Sequence, residues 1–154
     1  MTNSNWQTAL HAAGEGGISE VVRILVAAGA DVCAKDWRGQ NALLMAASTR
    51  TVVIGVFLPT GGYVRPANCH HQMDGLKAVF RALLAAGADA GATDDSENTV
   101  LHALAHGGDV ASVRLVLAAT RCDVNVANAY GQSALHLASF SGNVECVQRS
   151  APRC

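Results

Sequence analysis

A short phrase recurs in this chain at a nearly fixed spacing, and that spacing limits what the chain can fold into. It reads "QTALHAAGEGGISEVV" at 7–22, "NTVLHALAHGGDVASV" at 98–113 and "QSALHLASFSGNVECV" at 132–147. Each copy holds a Leu-His pair followed, seven residues after the Leu, by a glycine. Taking the residue two before each repeated Leu as a marker gives Thr8, Asn41, Thr99 and Ser133, with steps of 33, 58 and 34 residues. The long step equals one ordinary period plus an insertion of 25 residues, 50–74. A period near 33 describes stacked supersecondary units, none able to bury its apolar face alone. A histidine at a fixed place in such a unit solves a structural problem once per unit.

Each unit reads as two helices. The four markers carry a side-chain oxygen suited to the orphan N–H groups of a helix start. First helices are predicted at 9–15, about 42–49, 100–106 and 134–140, ending near Gly17, Gly108 and Gly142. Second helices show apolar spacing at i, i+3 and i+4: Val21, Val22, Ile24 and Leu25, then Val79, Phe80, Leu83 and Leu84, then Val113, Val116 and Leu117. "AAGADV" (27–32) and "AAGADA" (85–90) close two of them, and a short hairpin-like finger leads into the next unit.

Composition agrees with closely stacked helices. Half of the 154 residues are hydrophobic but only 5% are aromatic, so aliphatic side chains and alanine must do the packing. The net charge is -1 with no basic stripe, which argues against phosphate-driven binding of nucleic acid. The longest strongly apolar stretch, "VVIGVFL" (52–58), is far short of the ~20 residues of a spanning helix, so no direct membrane insertion is expected. Five cysteines without regular pairing do not describe a disulfide framework, and a soluble cytoplasmic protein is the expectation.

These units resemble the ankyrin repeat family, whose pattern runs Asp-x-x-Gly-x-Thr-Pro-Leu-His, two antiparallel helices, then Gly-Ala-Asp. The likeness covers about 6–49 and 75–147. It departs from the pattern at Ala9, Ala42, Val100 and Ala134, which replace proline, at Trp6 and Glu97, which replace the finger glycine, and at Leu44, which replaces histidine. The resemblance implies an all-α solenoid over 1–147, with units about 6–35, 36–93, 94–127 and a truncated 128–147, and an irregular tail at 148–154. It also implies that His11, His102 and His136 hydrogen-bond within and between units. The stretch from "GADAGATDDSENTVLHALAHGG" through "LAATRCDVNVANAYGQSALHLAS" is similar to the late repeats of endosomal ankyrin/FYVE proteins of the rabankyrin-5 type, which would make the chain a fragment of a trafficking adaptor.

No catalytic set is legible. "GEGGIS" lacks the third glycine and the lysine of a phosphate loop and follows a helix rather than a strand. Cys69, His70, His71 and Asp74 in "CHHQMD" could ligate a metal, but the paired spacing of zinc modules is missing. The expectation is no enzyme, no metal and no cofactor; the rival from another class is a metal-dependent regulator or enzyme subunit acting through loop 50–74. By the resemblance, protein partners meet the finger tips and the exposed ends of the first helices. The matching positions are Trp37, Arg38 and Gln40, then Asp95, Ser96 and Asn98, then Tyr130 and Gln132, with Ser48, His106 and Phe140 on the helices. Trp, Tyr and Arg are the types that anchor protein interfaces.

Two ends look unfinished. The first unit is expected to lack both a finger and a polar cap before it, and the fourth passes from "NVECV" into "QRSAPRC", where Pro152 stops any helix. Missing aliphatic anchors there would remove roughly 5–10 kcal/mol of burial, comparable with the whole stability of a small domain. An excerpt of a longer array is the expectation, and a broad, low-temperature thermal transition is its expected signature. A sharp cooperative transition at high temperature would speak against it.

Overall fold

Helix starts fall one residue after each marker. The computed structural model describes residues 2–54, 69–120 and 122–140, and the side chains of all of these except 49–54 and 69–74. The first helices of the units are α1 (Ala9–Glu15), α3 (Ala42–Ile54), α5 (Val100–Gly107) and α7 (Ala134–Phe140). The second helices are α2 (Ser19–Ala27), α4 (Cys69–Ala85) and α6 (Val110–Ala119). Asn41 caps α3 by accepting the Leu44 N–H at 2.8 Å, and its amide donates to the Asp89 carbonyl at 3.0 Å. Asp109 accepts the Ser112 N–H in the same way at the start of α6.

The units stack in two layers. First helices lie side by side in the order α1, α3, α5, α7, and second helices in the order α2, α4, α6; each second helix also packs on the first helix of its unit. One apolar core runs between the layers through Leu10, Val22, Leu43, Leu44, Val79, Phe80, Leu83, Leu104 and Val116. Alanine supplies the close spacing within the first layer: Ala46, Ala47 and Ala138 are completely buried. Glycine does so where even a methyl group is too large. A Cβ on Gly75 would lie 2.7 Å from the Gly17 carbonyl oxygen, so α4 passes the α1–α2 turn at backbone contact.

A finger precedes each first helix, and each of the four is folded around one Asx side chain. Asn3, Asp36, Asp94 and Asn128 each accept the backbone N–H groups two and four residues on, at 2.8–3.0 Å. Three residues after the Asx the chain is left-handed, with φ near 73° at Gly39 and Gly131 and 58° at Trp6 and Glu97. The last two therefore carry side chains where the backbone prefers glycine, at a cost of about 1 kcal/mol or more each.

The structure corrects three expectations. The first unit has a finger: Asn3 folds residues 3–7 as its counterparts do, and the polar start of the chain had concealed it. The fingers are turns rather than hairpins, with a single isolated bridge, Ala127 to Ser133, among the described residues. Segment 50–74 is helical at both ends, because α3 runs on to Ile54 and α4 begins at Cys69. The β-branched run Val52, Val53 and Ile54 thus continues a helix already nucleated, which outweighs its local propensity. Residues 55–68, the end of the fourth unit and the tail 148–154 lie outside the described residues.

Gly75→Ala gives a sharp test of this packing. Helix propensity alone predicts a gain of about 1 kcal/mol. The contact with Gly17 predicts instead a loss of roughly 1–3 kcal/mol, because backbone must move to admit the methyl group. Urea unfolding measures the sign, and a stabilised variant would mean that α4 and the α1–α2 turn are not in contact.

Candidate functional site

The recurring histidines hold the stack together. His11 Nδ1 accepts the Thr8 N–H at 3.1 Å and lies 2.9 Å from the Thr8 hydroxyl. That hydrogen-bond pattern assigns the proton to Nε2, which donates to the Gln40 carbonyl in the next finger at 2.9 Å. His102 repeats the arrangement with Thr99 and with the Gln132 carbonyl, 30 residues ahead. Both rings are buried. His136 is exposed and holds Ser133. No two of these rings share a hydrogen-bond partner, so they do not form a common site.

Nucleophiles and metal ligands are likewise scattered. Among the described residues no group of three or more His, Cys, Asp or Glu side chains could hold a metal ion. Cys33 is exposed and Cys122 half-buried, 2.7 Å from the Thr120 hydroxyl. Cys69, His70, His71 and Asp74 fall in the first turns of α4 rather than in a loop, and their side chains lie outside the described residues. Open depressions along the second helices, between α2 and α4 and between α4 and α6, are lined by alanine together with Arg23, Lys77, Arg81 and Arg114.

The finger tips do form a row. Trp37 donates its backbone N–H to Asn5 O, Asp95 to Arg38 O and Ala129 to Ser96 O, at 3.0–3.2 Å. One finger is thus stitched to the next through main chain. A side-chain link, Asn128 Nδ2 to Asn98 Oδ1 at 2.9 Å, joins the last two. On this rigid backing, side chains at the tips are exposed: Trp37 at 54% and Tyr130 at 75%, with Asp95 also in solvent. The Arg38 guanidinium lies 4.6 Å from the Trp37 ring centroid, a cation–π contact that fixes both groups. Ser96 is half-buried.

The remaining candidates divide. Phe140 is 85% exposed at the end of α7, and His106 is exposed in the last turn of α5. Ser48 is half-buried and receives the Gln40 amide at 3.5 Å. Gln40 itself is buried, with its carbonyl taken by His11, so its place is beneath the row rather than on it. Asn98 and Gln132 are half-buried between fingers. The Asx residues that shape the tips were missed by sequence reasoning, although Asn3, Asp36, Asp94 and Asn128 repeat with the same 33, 58 and 34 residue steps as the helix caps.

Charge is uneven across this surface. Among the described residues, the fingers and the loops leading to them hold Asp31, Asp36, Asp89, Asp94, Asp95, Glu97 and Asp123 against Lys35 and Arg38. Asp36 is buried below Trp37 and Arg38; its Oδ1 takes both turn amides while Oδ2 has no partner among the described residues. An aromatic and cationic tip beside acidic neighbours can grip a polypeptide; it offers no nucleophile and base within reach of each other. Against known families, residues 70–149 match ankyrin repeats in three copies and residues 5–37 match a single ankyrin repeat.

His102→Ala separates a structural imidazole from a functional one. The change removes the bond to Gln132 O, strands the Thr99 N–H and leaves a cavity, so a loss of about 2–4 kcal/mol is expected. His136→Ala, at an exposed ring, is expected to cost less than about 1 kcal/mol. Chemical denaturation of the two variants checks the difference; equal effects would place the inter-unit bond outside the stability of the stack.

Proposed function

Because the chain belongs to the ankyrin repeat family, we propose that it is a non-enzymatic protein–protein interaction scaffold that takes its partner along the finger tips. One observation supports this above the others: main-chain hydrogen bonds run from finger to finger and hold exposed Trp37 and Tyr130 in a single row. Rigid aromatic anchors on a preformed backbone lose little conformational entropy on binding, which is what makes such residues dominate interface energetics. Arg38, already oriented by the Trp37 ring, adds a fork for a carboxylate. Asp95 and Ser96 supply polar rim contacts, and Phe140 and His106 extend the surface onto the ends of the first helices.

The fold carries no function by itself, so the reading rests on these side chains. Among the described residues no helix is long and apolar enough to cross a membrane. A trafficking role of the ankyrin/FYVE type is the finer form of the proposal, and it rests on the likeness of the stretch from Gly87 to Ser139 alone.

Trp37→Ala combined with Tyr130→Ala tests the row. Immobilised wild-type protein is expected to retain a defined set of binding proteins from cell extract, and the double variant to lose them at least about tenfold. Far-UV circular dichroism should be unchanged, since both side chains lie in solvent. Undiminished capture by the double variant would remove the finger tips from the binding surface.

A further inference from the structure

Three arginines stand at one place in the repeat. Arg23 on α2, Arg81 on α4 and Arg114 on α6 are 58 and 33 residues apart, the same steps that relate the buried Val22, Phe80 and Val113 just before them. Their helices pack side by side in that order, so the three cations climb the second-helix layer as a ladder. All three are exposed. Packed helices lie about 8–10 Å apart, which sets the rise from rung to rung. Arg23 and Arg81 line the depression between α2 and α4; Arg81 and Arg114, with Lys77, line the next.

Only the first rung has an acid beside it on its own helix. Arg23 pairs with Glu20, three residues earlier, at 3.5 Å. The same place holds Ala78 before Arg81 and Ala111 before Arg114. No acidic residue occurs at 75–85 or at 110–119. The nearest along the chain are Asp74, two turns before Arg81, and Asp109, whose carboxylate caps α6 by accepting the Ser112 N–H. Units two and three therefore keep the cation of this repeat position without its anion.

We propose that the ladder takes an acidic helix of a protein partner, laid across α2, α4 and α6 with one carboxylate on each rung. Charge complementarity sets the sign of the occupant, and the guanidinium fork donates to a carboxylate through two parallel hydrogen bonds. Spacing sets its form. Residues seven apart on an α-helix share a face at about 10 Å, the rise of the ladder. An extended strand offers same-face residues at about 7 or 13 Å and misses it. Small apolar side chains between those carboxylates meet the alanine that lines both depressions. Nucleic acid fits less well: three rungs release few counterions, and no aromatic residue lines either depression for a base to stack on. None of these residues belongs to a finger, so this second surface is independent of the row proposed above.

The probe is a synthetic alanine-rich helix of about 22 residues with three Glu set seven apart, and fluorescence anisotropy with the intact chain reads its binding. A Kd near ~100 µM is expected in about 50 mM salt, weakening at least about fivefold at about 300 mM. Gln in place of the three Glu should abolish binding, and resetting them four apart should weaken it at least about threefold. Arg81→Glu with Arg114→Glu should weaken it at least about tenfold, and Arg81→Lys with Arg114→Lys less. Circular dichroism should be unchanged, since both side chains are exposed. Trp37→Ala with Tyr130→Ala should leave binding as it was. No binding at about 1 mM protein overturns the proposal, as does binding indifferent to the Glu spacing or to the charge reversal. So does tighter binding, at the same salt, of single-stranded DNA or of phosphatidylcholine vesicles with about 30% phosphatidylserine.

Discussion

Each inner imidazole of this array works on two edges at once. On one edge Nδ1 accepts the N–H of the residue that starts its own helix, and on the other Nε2–H donates to a carbonyl in the following finger. A neutral ring does both only in a single tautomer, so the bond inside the unit fixes the polarity of the bond between units. Because both rings are buried, losing one bond leaves buried polar groups unsatisfied rather than returned to water. This coupling makes helix start and unit stacking one event. Where Leu44 takes the histidine's place, Asn41 assumes a related double role, capping α3 and reaching the Asp89 carbonyl at the far end of its own unit. The linkage is thus within the unit there, and contact between α3 and α5 rests more on apolar packing.

The finger row follows from that clasp. The carbonyls that the histidines hold, Gln40 and Gln132, also receive the N–H groups of Asp36 and Asn128 that open the same turns. The ring that locks the units therefore also fixes the turn whose tip meets solvent. Position within the turn then separates duties: the Asx side chain and the carbonyl are taken up in hydrogen bonds of the turn and repeat, while the two residues after the Asx form the outer tip and vary. Trp37 with Arg38, Asp95 with Ser96, and Ala129 with Tyr130 occupy those outward places. The stack is thereby written in different residues of the segment from those at its exposed tip, so the tip side chains can change without disturbing the fold.

Much of this was readable in the chain. Helix caps recurring with the period placed the starts of α1, α3, α5 and α7, and for α1 both ends matched. The histidines read as inter-unit ties are such ties at His11 and His102. The losses have physical causes. Asn3 looked like part of a polar terminus, although it stands one period before Asp36 and folds the same turn. The start of segment 50–74 was expected to belong to the inserted loop, because the period marks where the ordinary unit resumes and not how far a formed helix extends. Gly75 carries no sequence signal of its role, since no local pattern records that the Gly17 carbonyl occupies the space of a side chain. Gln40 was a contact candidate by the family resemblance, but the left-handed Gly39 turns the chain back into the stack between it and Arg38.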